Sequence, residues 1–463
     1  MEKTSKRGFA VGFLTRDCPL TARKDYDFLR CSAPTNDYHL AKRRNHSDGQ
    51  NLLEGASLVT GNPPLPPILW QTRGQTKETG GPLQILTLTP FYPSEQNDAA
   101  GCFVAEPLNA LADVGLVNTV YAVQPVYRRK RHAKGLGVNA KWLRYLSLPG
   151  GFGLPTAGAF LFARIVGQVR ELKRLHRIDL IHAHAPLPCG HAAMLLSLEL
   201  GLPYVVSVHG LDAYSTRQVG GRAGEWCRSI SQRVFRSSRR VICISERVRE
   251  EVLEGTGPGC RTSVVYNGVD PDLFSPGNVS SSDGPIVLSV GNLIPIKGHA
   301  LVIRTVALLA QDFPALTLEI IGDGSERSRL QVLAEQLQIG DRVCFLGRQS
   351  REQVAAAMRR CTVFALPSSY EGLGCVYLEA MSVGKPVIGC RGQGIAEVIQ
   401  HGSNGFLVGP DNERELTLAL AMLLRDEPRR RNLGAAARDT IVERFTLGHQ
   451  AESLARIYRE SAE

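Results

Sequence analysis

Two carboxylates in the stretch SSYEGLGCVYLEAMSVGKPVIG, residues 368–389, stand where chemistry could use them. Glu379 carries the only formal charge between Cys375 and Val383, inside an apolar run, and Glu371 lies eight positions before it. Gly372 and Gly374 allow a backbone to approach a ligand closely. A helix from about Cys375 to Val383, stopped by Gly384-Lys385-Pro386, would direct its first amides toward the same loop. Glu371 then belongs to that loop, beside Gly372, Leu373, Gly374 and Cys375. Glu379, a little over one turn into the helix, can face the same pocket. Such a pair could accept hydrogen bonds from a ligand; two acids on a solvated surface satisfy the spacing as well.

Three further loops carry candidates. In VGNLIPIKG a strand ends at Gly291 and Lys297-Gly298 opens a helix, an arrangement suited to anchoring phosphate. At an effective dielectric near 20, a unit-charge contact at about 4 Å is worth roughly 4 kcal/mol before desolvation. A solvated loop lysine is the plainer alternative. In EIIGDGSERSRL, Gly322 and Gly324 follow a strand, but Arg327 stands where a dinucleotide fingerprint wants its third glycine. That excludes a nicotinamide site and leaves close ligand approach or a tight turn. GFGLPTAGAF, residues 151–160, lacks the Lys-Ser/Thr of a P-loop. DLIHAHAP and VVSVHGLDAY bring His182, His184, His209 and Asp212 to strand ends. A neutral histidine there could donate to a hydroxyl or polarise a reacting oxygen; a structural role fits equally. His182 and His184 share one strand face and His209 belongs to another strand, so convergence on zinc is not specified and no metal is expected.

These loops need strands behind them. From Leu83 onward LQILTLTP, VNTVYAVQ, IDLIHAHA, PYVVSVHG, RRVICIS and TSVVYNGVD alternate with helical segments. After FSPGNVSSSDGP the series restarts as PIVLSVG, LTLEIIG, RVCFLG, CTVFALP, PVIGC and NGFLV. Near-continuous apolar strands separated by helices predict parallel sheets covered on both faces. The expected fold class is therefore α/β: two doubly wound domains enclosing a cleft, residues 81–273 and 286–445, joined by a linker at 274–285. Residues 446–463 are expected to form a helix packing back toward the first domain. Residues 1–80 mix basic and small polar residues with GNPPLPP and show no sustained period, so they read as a disordered extension.

The bulk composition narrows the class. The 463 residues are 43% hydrophobic and 21% charged, enough to bury large cores without disulfides. Eleven cysteines, scattered without CxxC pairs, suggest neither a disulfide framework nor a zinc ribbon. No apolar run reaches the roughly 18–20 residues of a membrane span, and the N-terminus has too short an apolar core for a secretory signal. A cytoplasmic location is expected. The net charge of +10 favours an anionic partner. The densest basic cluster is VYRRKRHAKG, residues 126–135, followed by Trp142 and Tyr145.

Taken together these motifs resemble the retaining glycosyltransferases of family 4, the group 1 glycosyltransferases of GT-B fold. The matching residues are SSYEGLGCVYLEAMSVGKPVIG with its two glutamates, VGNLIPIKG, IIGDGSERSRL and VSVHGLD, joined by YNGVD (266–270) and TPFYPSEQNDAAGCFVAEPLNAL. The resemblance covers about residues 82–460. It implies a UDP- or GDP-sugar donor held by the second domain, a saccharide or lipid-linked acceptor entering from the first, and no nucleic acid. By that resemblance Glu371 binds hydroxyls of the donor sugar and Glu379 the ribose hydroxyls. Lys297 neutralises the diphosphate with the amides of Gly372, Leu373, Gly374 and Cys375, Gly101 closes over the phosphates, and His209 lies near sugar and acceptor. No bound metal or other cofactor is implied. The family commonly has arginine where this chain has Asn292, so Arg348 or Arg327 is expected to compensate. The basic segment suggests peripheral contact with the inner face of an anionic membrane. Cell-surface polysaccharide or glycolipid synthesis is the implied pathway class. A sugar-nucleotide epimerase or a non-catalytic saccharide-binding protein on the same fold are the rival readings.

Overall fold

The computed structural model describes residues 81–94, 99–128, 139–149, 151–214, 219–277 and 284–463. The extension expected at residues 1–80 and most of the basic segment 126–135 lie outside the described residues.

The first domain is built on seven strands: β1 (Gln84–Thr89), β2 (Val117–Pro125), β3 (Asn139–Tyr145), β4 (Leu180–His184), β5 (Tyr204–Val208), β6 (Arg240–Cys243) and β7 (Thr262–Val264). Their spatial order is β3-β2-β1-β4-β5-β6-β7, and every pairing is parallel. Five helices serve as crossovers: α1 (Cys102–Asp113), α2 (Leu154–Arg174), α3 (His191–Leu200), α4 (Gly221–Ser237) and α5 (Glu246–Thr256). Residues of β4 and β5 are buried without a break, as strands covered on both faces must be. Strand β3 was not anticipated. Its sequence, NAKWLRY, mixes Lys141 and Arg144 with apolar residues because it forms the sheet edge, where one side needs no partner strand.

The second domain repeats the plan with six parallel strands, β8 (Ile286–Val290), β9 (Thr317–Ile321), β10 (Val343–Gly347), β11 (Val363–Ala365), β12 (Val387–Cys390) and β13 (Phe406–Val408). They are ordered β10-β9-β8-β11-β12-β13. The helices are α6 (His299–Leu309), α7 (Arg327–Gln336), α8 (Arg351–Arg360), α9 (Cys375–Ser382), α10 (Glu413–Arg425) and α11 (Glu427–Arg444). Leu288, Leu318, Ile320, Phe364 and Ile388 have no exposed surface, and each buried side chain of this size is worth about 1.5–3 kcal/mol. Helix α8 starts where Ser350 and Gln353 form a reciprocal capping box.

The chain then returns. Thr446 caps α12 (Leu447–Ala462), whose Ala451, Leu454, Ala455 and Tyr458 pack with Ala105, Leu108 and Leu111 of α1. The YNGVD segment is what the return docks on. Gly268 N–H donates to Gln450 at 2.8 Å, and Val269 exchanges backbone bonds with Phe445 and Leu447. A Cβ at Gly268 would fall 2.3 Å from the Thr446 carbonyl oxygen. Phe274, first residue of the expected linker, has no exposed surface and belongs to the core. Among the described residues no helix is long and apolar enough to cross a membrane.

Candidate active site

Strands β8 and β11 are neighbours on either side of the point where the second sheet reverses its strand order, so the loops following them open onto one crevice. The loop after β8 ends in a single 3-10 turn, Pro295–Lys297, and Gly298 at φ 73° separates it from α6. Lys297 therefore precedes the helix, where the sequence had suggested that it opens one. The loop after β11 carries Glu371. Lys297 Nζ lies 2.5 Å from Glu371 Oε2, with side-chain exposures of only 18% and 11%. Glu371 is held through its backbone as well: its N–H donates to Gln393 Oε1 at 2.9 Å and its carbonyl accepts Gly394 N–H at 3.0 Å.

The glycines after Glu371 answer to close backbone approach. A Cβ on Gly372 would stand 2.8 Å from the carbonyl oxygen of His209, in the opposite domain. The Gly372 carbonyl accepts Ser245 Oγ–H at 2.6 Å, a hydrogen bond across the cleft. Leu373 is fully buried beneath the loop. Gly374, at φ 89°, leads into α9 at Cys375, and no side chain caps that helix. Gly322 and Gly324 have a different reason: Cβ atoms there would fall 1.9 Å from Gly291 O and 2.3 Å from Leu293 O. They let two strand-end loops of one sheet touch.

Glu379, 3% exposed, projects from α9 to Arg351, the first residue of α8. Arg351 Nη1 donates to Glu379 Oε1, while its Nε and Nη2 donate to Glu106 of α1 at 2.8 and 3.0 Å. Burial raises the Glu106 carboxyl above its usual range, with Arg351 opposing. Arg351 is itself held more firmly protonated than usual: burial disfavours the charge, but Glu379 and its neighbours outweigh that. Cys102 and Cys375 share this environment; burial pushes Cys375 up to about 12 and raises Cys102 as well, so both remain thiols.

Beyond Glu106, the facing wall presents a cluster of histidines. His209 Nε2 lies 3.0 Å from His184 Nδ1, and its ring packs against Phe103 with centroids 4.8 Å apart. His182 is bonded to Ser207 at 2.7 Å and to Tyr458 of α12 at 2.6 Å. The histidines thus bond to each other and to hydroxyls, and among the described residues no group of three or more metal-ligating side chains converges. Burial lowers His182 and His209 to about 3 and His184 well below its usual value, so all three are neutral imidazoles. The Asp212 carboxylate accepts His209 N–H at 2.9 Å, and burial raises its pKa to about 7. A cavity of about 20 Å³, lined by His182, His184, His209 and Tyr458, has room for about one water.

Gly101 precedes α1 at φ 81°, and a Cβ there would meet Tyr92 N at 2.5 Å. Asn292 is exposed, with its carbonyl accepting Ile294 N–H at 2.9 Å. Arg327 is turned to the Phe345 carbonyl at 3.4 Å, on the β10 side. Arg348 is exposed after β10. Sequence reasoning missed Arg351, Glu106, Gln393 and Ser245. Ser350 and Gln353 did mark a helix start beside Arg351, but the 245 positions between Arg351 and Glu106 left no local sign of their pairing.

Two family profiles divide the chain. That of the glycosyl transferases group 1 matches residues 272–440, and that of glycosyltransferase family 4 matches residues 104–273. The N-acetyl-alpha-D-glucosaminyl L-malate synthase of Bacillus anthracis is 28% identical over 291 residues, 61% of this chain and 74% of that protein. The alpha-D-kanosaminyltransferase of Streptomyces kanamyceticus is 28% identical over 378 residues, 76% of this chain and 96% of that protein. Among solved structures, HepE of Anabaena in complex with UDP and glucose superposes with a TM-score of 0.64 at 21% identity, covering 81% of this chain and 98% of that one.

Proposed function

The chain belongs to the group 1, family 4 glycosyltransferases, and on that premise we propose that it moves a hexosyl residue from a UDP- or GDP-sugar to a saccharide or lipid-linked hydroxyl with retention of configuration. The observation that carries this reading is the Lys297–Glu371 pair, at the switch point of one sheet and under the His209–Gly372 contact between domains. A diphosphate attracts Lys297 more strongly than one carboxylate does, because it carries more charge. Its arrival therefore releases Glu371 to accept bonds from sugar hydroxyls. The amides of Gly372–Cys375 and the start of α9 add a positive dipole end at the leaving group. Glu379 takes the ribose hydroxyls. Relatives and neighbours support the donor class: one solved homologous fold holds UDP-glucose.

The chemistry then needs no enzymic nucleophile. The glycosidic C–O bond to the diphosphate breaks, its electron pair leaving with the phosphate oxygen, and positive charge develops at the anomeric carbon. The acceptor hydroxyl attacks on the same face and gives its proton to that departing oxygen. Glu371 positions the sugar and offsets the charge. His209, neutral because of burial, offers a hydrogen bond rather than a full charge. No metal or other cofactor takes part in this proposal. Its cytoplasmic setting and an anionic-membrane contact at residues 126–135 belong to it; liposome co-sedimentation unaffected by charge reversal there would remove the contact.

The test is a thermal-shift screen of nucleotides and nucleotide sugars, followed by transfer assays with the tightest donor. Donor-dependent glycosylation of an acceptor, with the product's anomeric proton read by NMR, is expected. Rapid epimerisation of the donor with no acceptor present would refute transfer, and an inverted product would refute retention.

A further inference from the structure

Arg351 joins three parts of the molecule. Its fork makes two bonds to Glu106 on α1 of the first domain and one to Glu379 on α9 of the second. The guanidinium also lies over the ring of Phe274, 4.7 Å from its centroid, on the segment that connects the domains. Its side chain is only 11% exposed. A buried arginine is tolerated when its fixed fork is satisfied, and here the fork spans the interdomain junction. The two carboxylates are not equally satisfied. Glu379 uses Oε1 for Arg351, whereas Oε2 is buried with no hydrogen-bond partner among the described residues. Leaving a charged oxygen out of water without a donor is costly. A donor supplied by the ligand relieves it.

With Oε1 pinned, the direction of Oε2 follows from Arg351. We infer that Arg351 is a positioning residue for donor recognition: it aims Glu379 Oε2 at the vicinal diol of the donor's ribose, and through Glu106 it makes that aim depend on closure of the two domains. This rests on the nucleotide-sugar reading above. It separates two energies that a binding constant normally mixes, since the diphosphate is held elsewhere, at Lys297. Loss of Arg351 should therefore cost the diol contact and spare the phosphate contact. A lysine could not replace it, because one ammonium cannot bond Glu379 and clamp both oxygens of Glu106.

The probe is whichever of UDP and GDP binds the full-length protein, paired with its 2′,3′-dideoxy counterpart, titrated by calorimetry. The wild type is expected to bind the ribose form at least tenfold more tightly than the dideoxy form. Arg351→Met should reduce that ratio below threefold while leaving the dideoxy affinity within threefold of wild type. Glu106→Gln should reduce the ratio at least threefold, and it reads the same quantity if the arginine variant does not fold. A ratio that stays tenfold in the variants, with both affinities falling together, makes Arg351 merely structural and overturns the inference. A wild type that binds both forms equally also overturns it while the donor reading stands. Binding of neither UDP nor GDP removes the donor reading and the inference with it.

Discussion

The two walls of the cleft use opposite electrostatics on one topology. Each domain is a parallel sheet with functional loops at its carboxyl edge, yet the second domain lines that edge with the ion pairs Lys297–Glu371 and Arg351–Glu379. The first domain lines it with His182 and His184, buried, and His209, half-buried, all uncharged and bonded to one another or to hydroxyls, and lends one carboxylate, Glu106, to Arg351. The contrast matches the partners proposed for each wall. A diphosphate requires charge that can change partners, whereas an incoming hydroxyl requires a dry surface with a fixed hydrogen-bonding group. Charges already paired in the closed cleft also mean that ligand binding exchanges one partner for another, which lowers the desolvation cost of binding.

The contrast breaks most sharply at Lys297. Lys297→Ala should lower kcat/KM by about 10³, roughly 4 kcal/mol of lost transition-state stabilisation. Steady-state kinetics with the identified donor measures it, and a loss under tenfold would detach the ion pair from the chemistry.

The histidine wall should show itself in acid. The native state keeps His182 and His209 neutral down to about 3, while in the unfolded chain they take up protons near 6.5. Depressed pKa values contribute stability that is present above about pH 6.5 and lost as pH falls toward the native values. Asp212 acts in the opposite sense: raised to about 7, it holds a proton in the native state that the unfolded chain has released above about pH 4. With His184, His191 and His299 also depressed, the histidines outnumber the two raised carboxyls, Asp212 and Glu106, so the unfolded chain binds more protons and stability falls as pH drops from 6 to 4. Denaturant titration across that range tests the slope, and a flat profile would place charge in the histidine wall.

The two glutamates sharpen the comparison within the charged wall. Glu371→Gln should lower kcat about 100-fold with donor Kd changed less than threefold. Glu379→Gln should weaken nucleotide binding about tenfold with a smaller effect on kcat. Equal effects on both constants in both variants would erase the division between sugar and ribose contacts.

Asp212→Asn gives the smallest effect. The amide keeps an acceptor for His209 N–H without a buried charge, so stabilisation of about 1–2 kcal/mol is expected at pH 8. It should fade toward pH 5, where the native aspartate is already protonated. Melting temperatures at the two pH values provide the readout.

Much of this organisation was legible along the chain because it is local. Apolar β-branched runs marked most of the strands, and Gly372-Leu373-Gly374 before Cys375 marked a loop entering a helix. The sheet order follows from right-handed crossovers only once pairing is known, and β3 escaped notice because an edge strand carries a mixed pattern. Arg351 escaped for a different reason. Its partner Glu106 lies 245 positions away, so nothing near either residue distinguishes the pair from surface charges.

The sequence alone determined two α/β domains, the loops that bear Lys297, Glu371 and His209, and the resemblance that relates them to sugar transfer. These depend on periodicity and on side-chain type at short spacing. Only the tertiary structure decided which charges neutralise one another, that the histidines pack together without charge, and that one arginine spans both domains. Pairing and burial are properties of distance in space, and a parallel fold that returns each strand to the same edge sets those distances through contacts far apart in the chain.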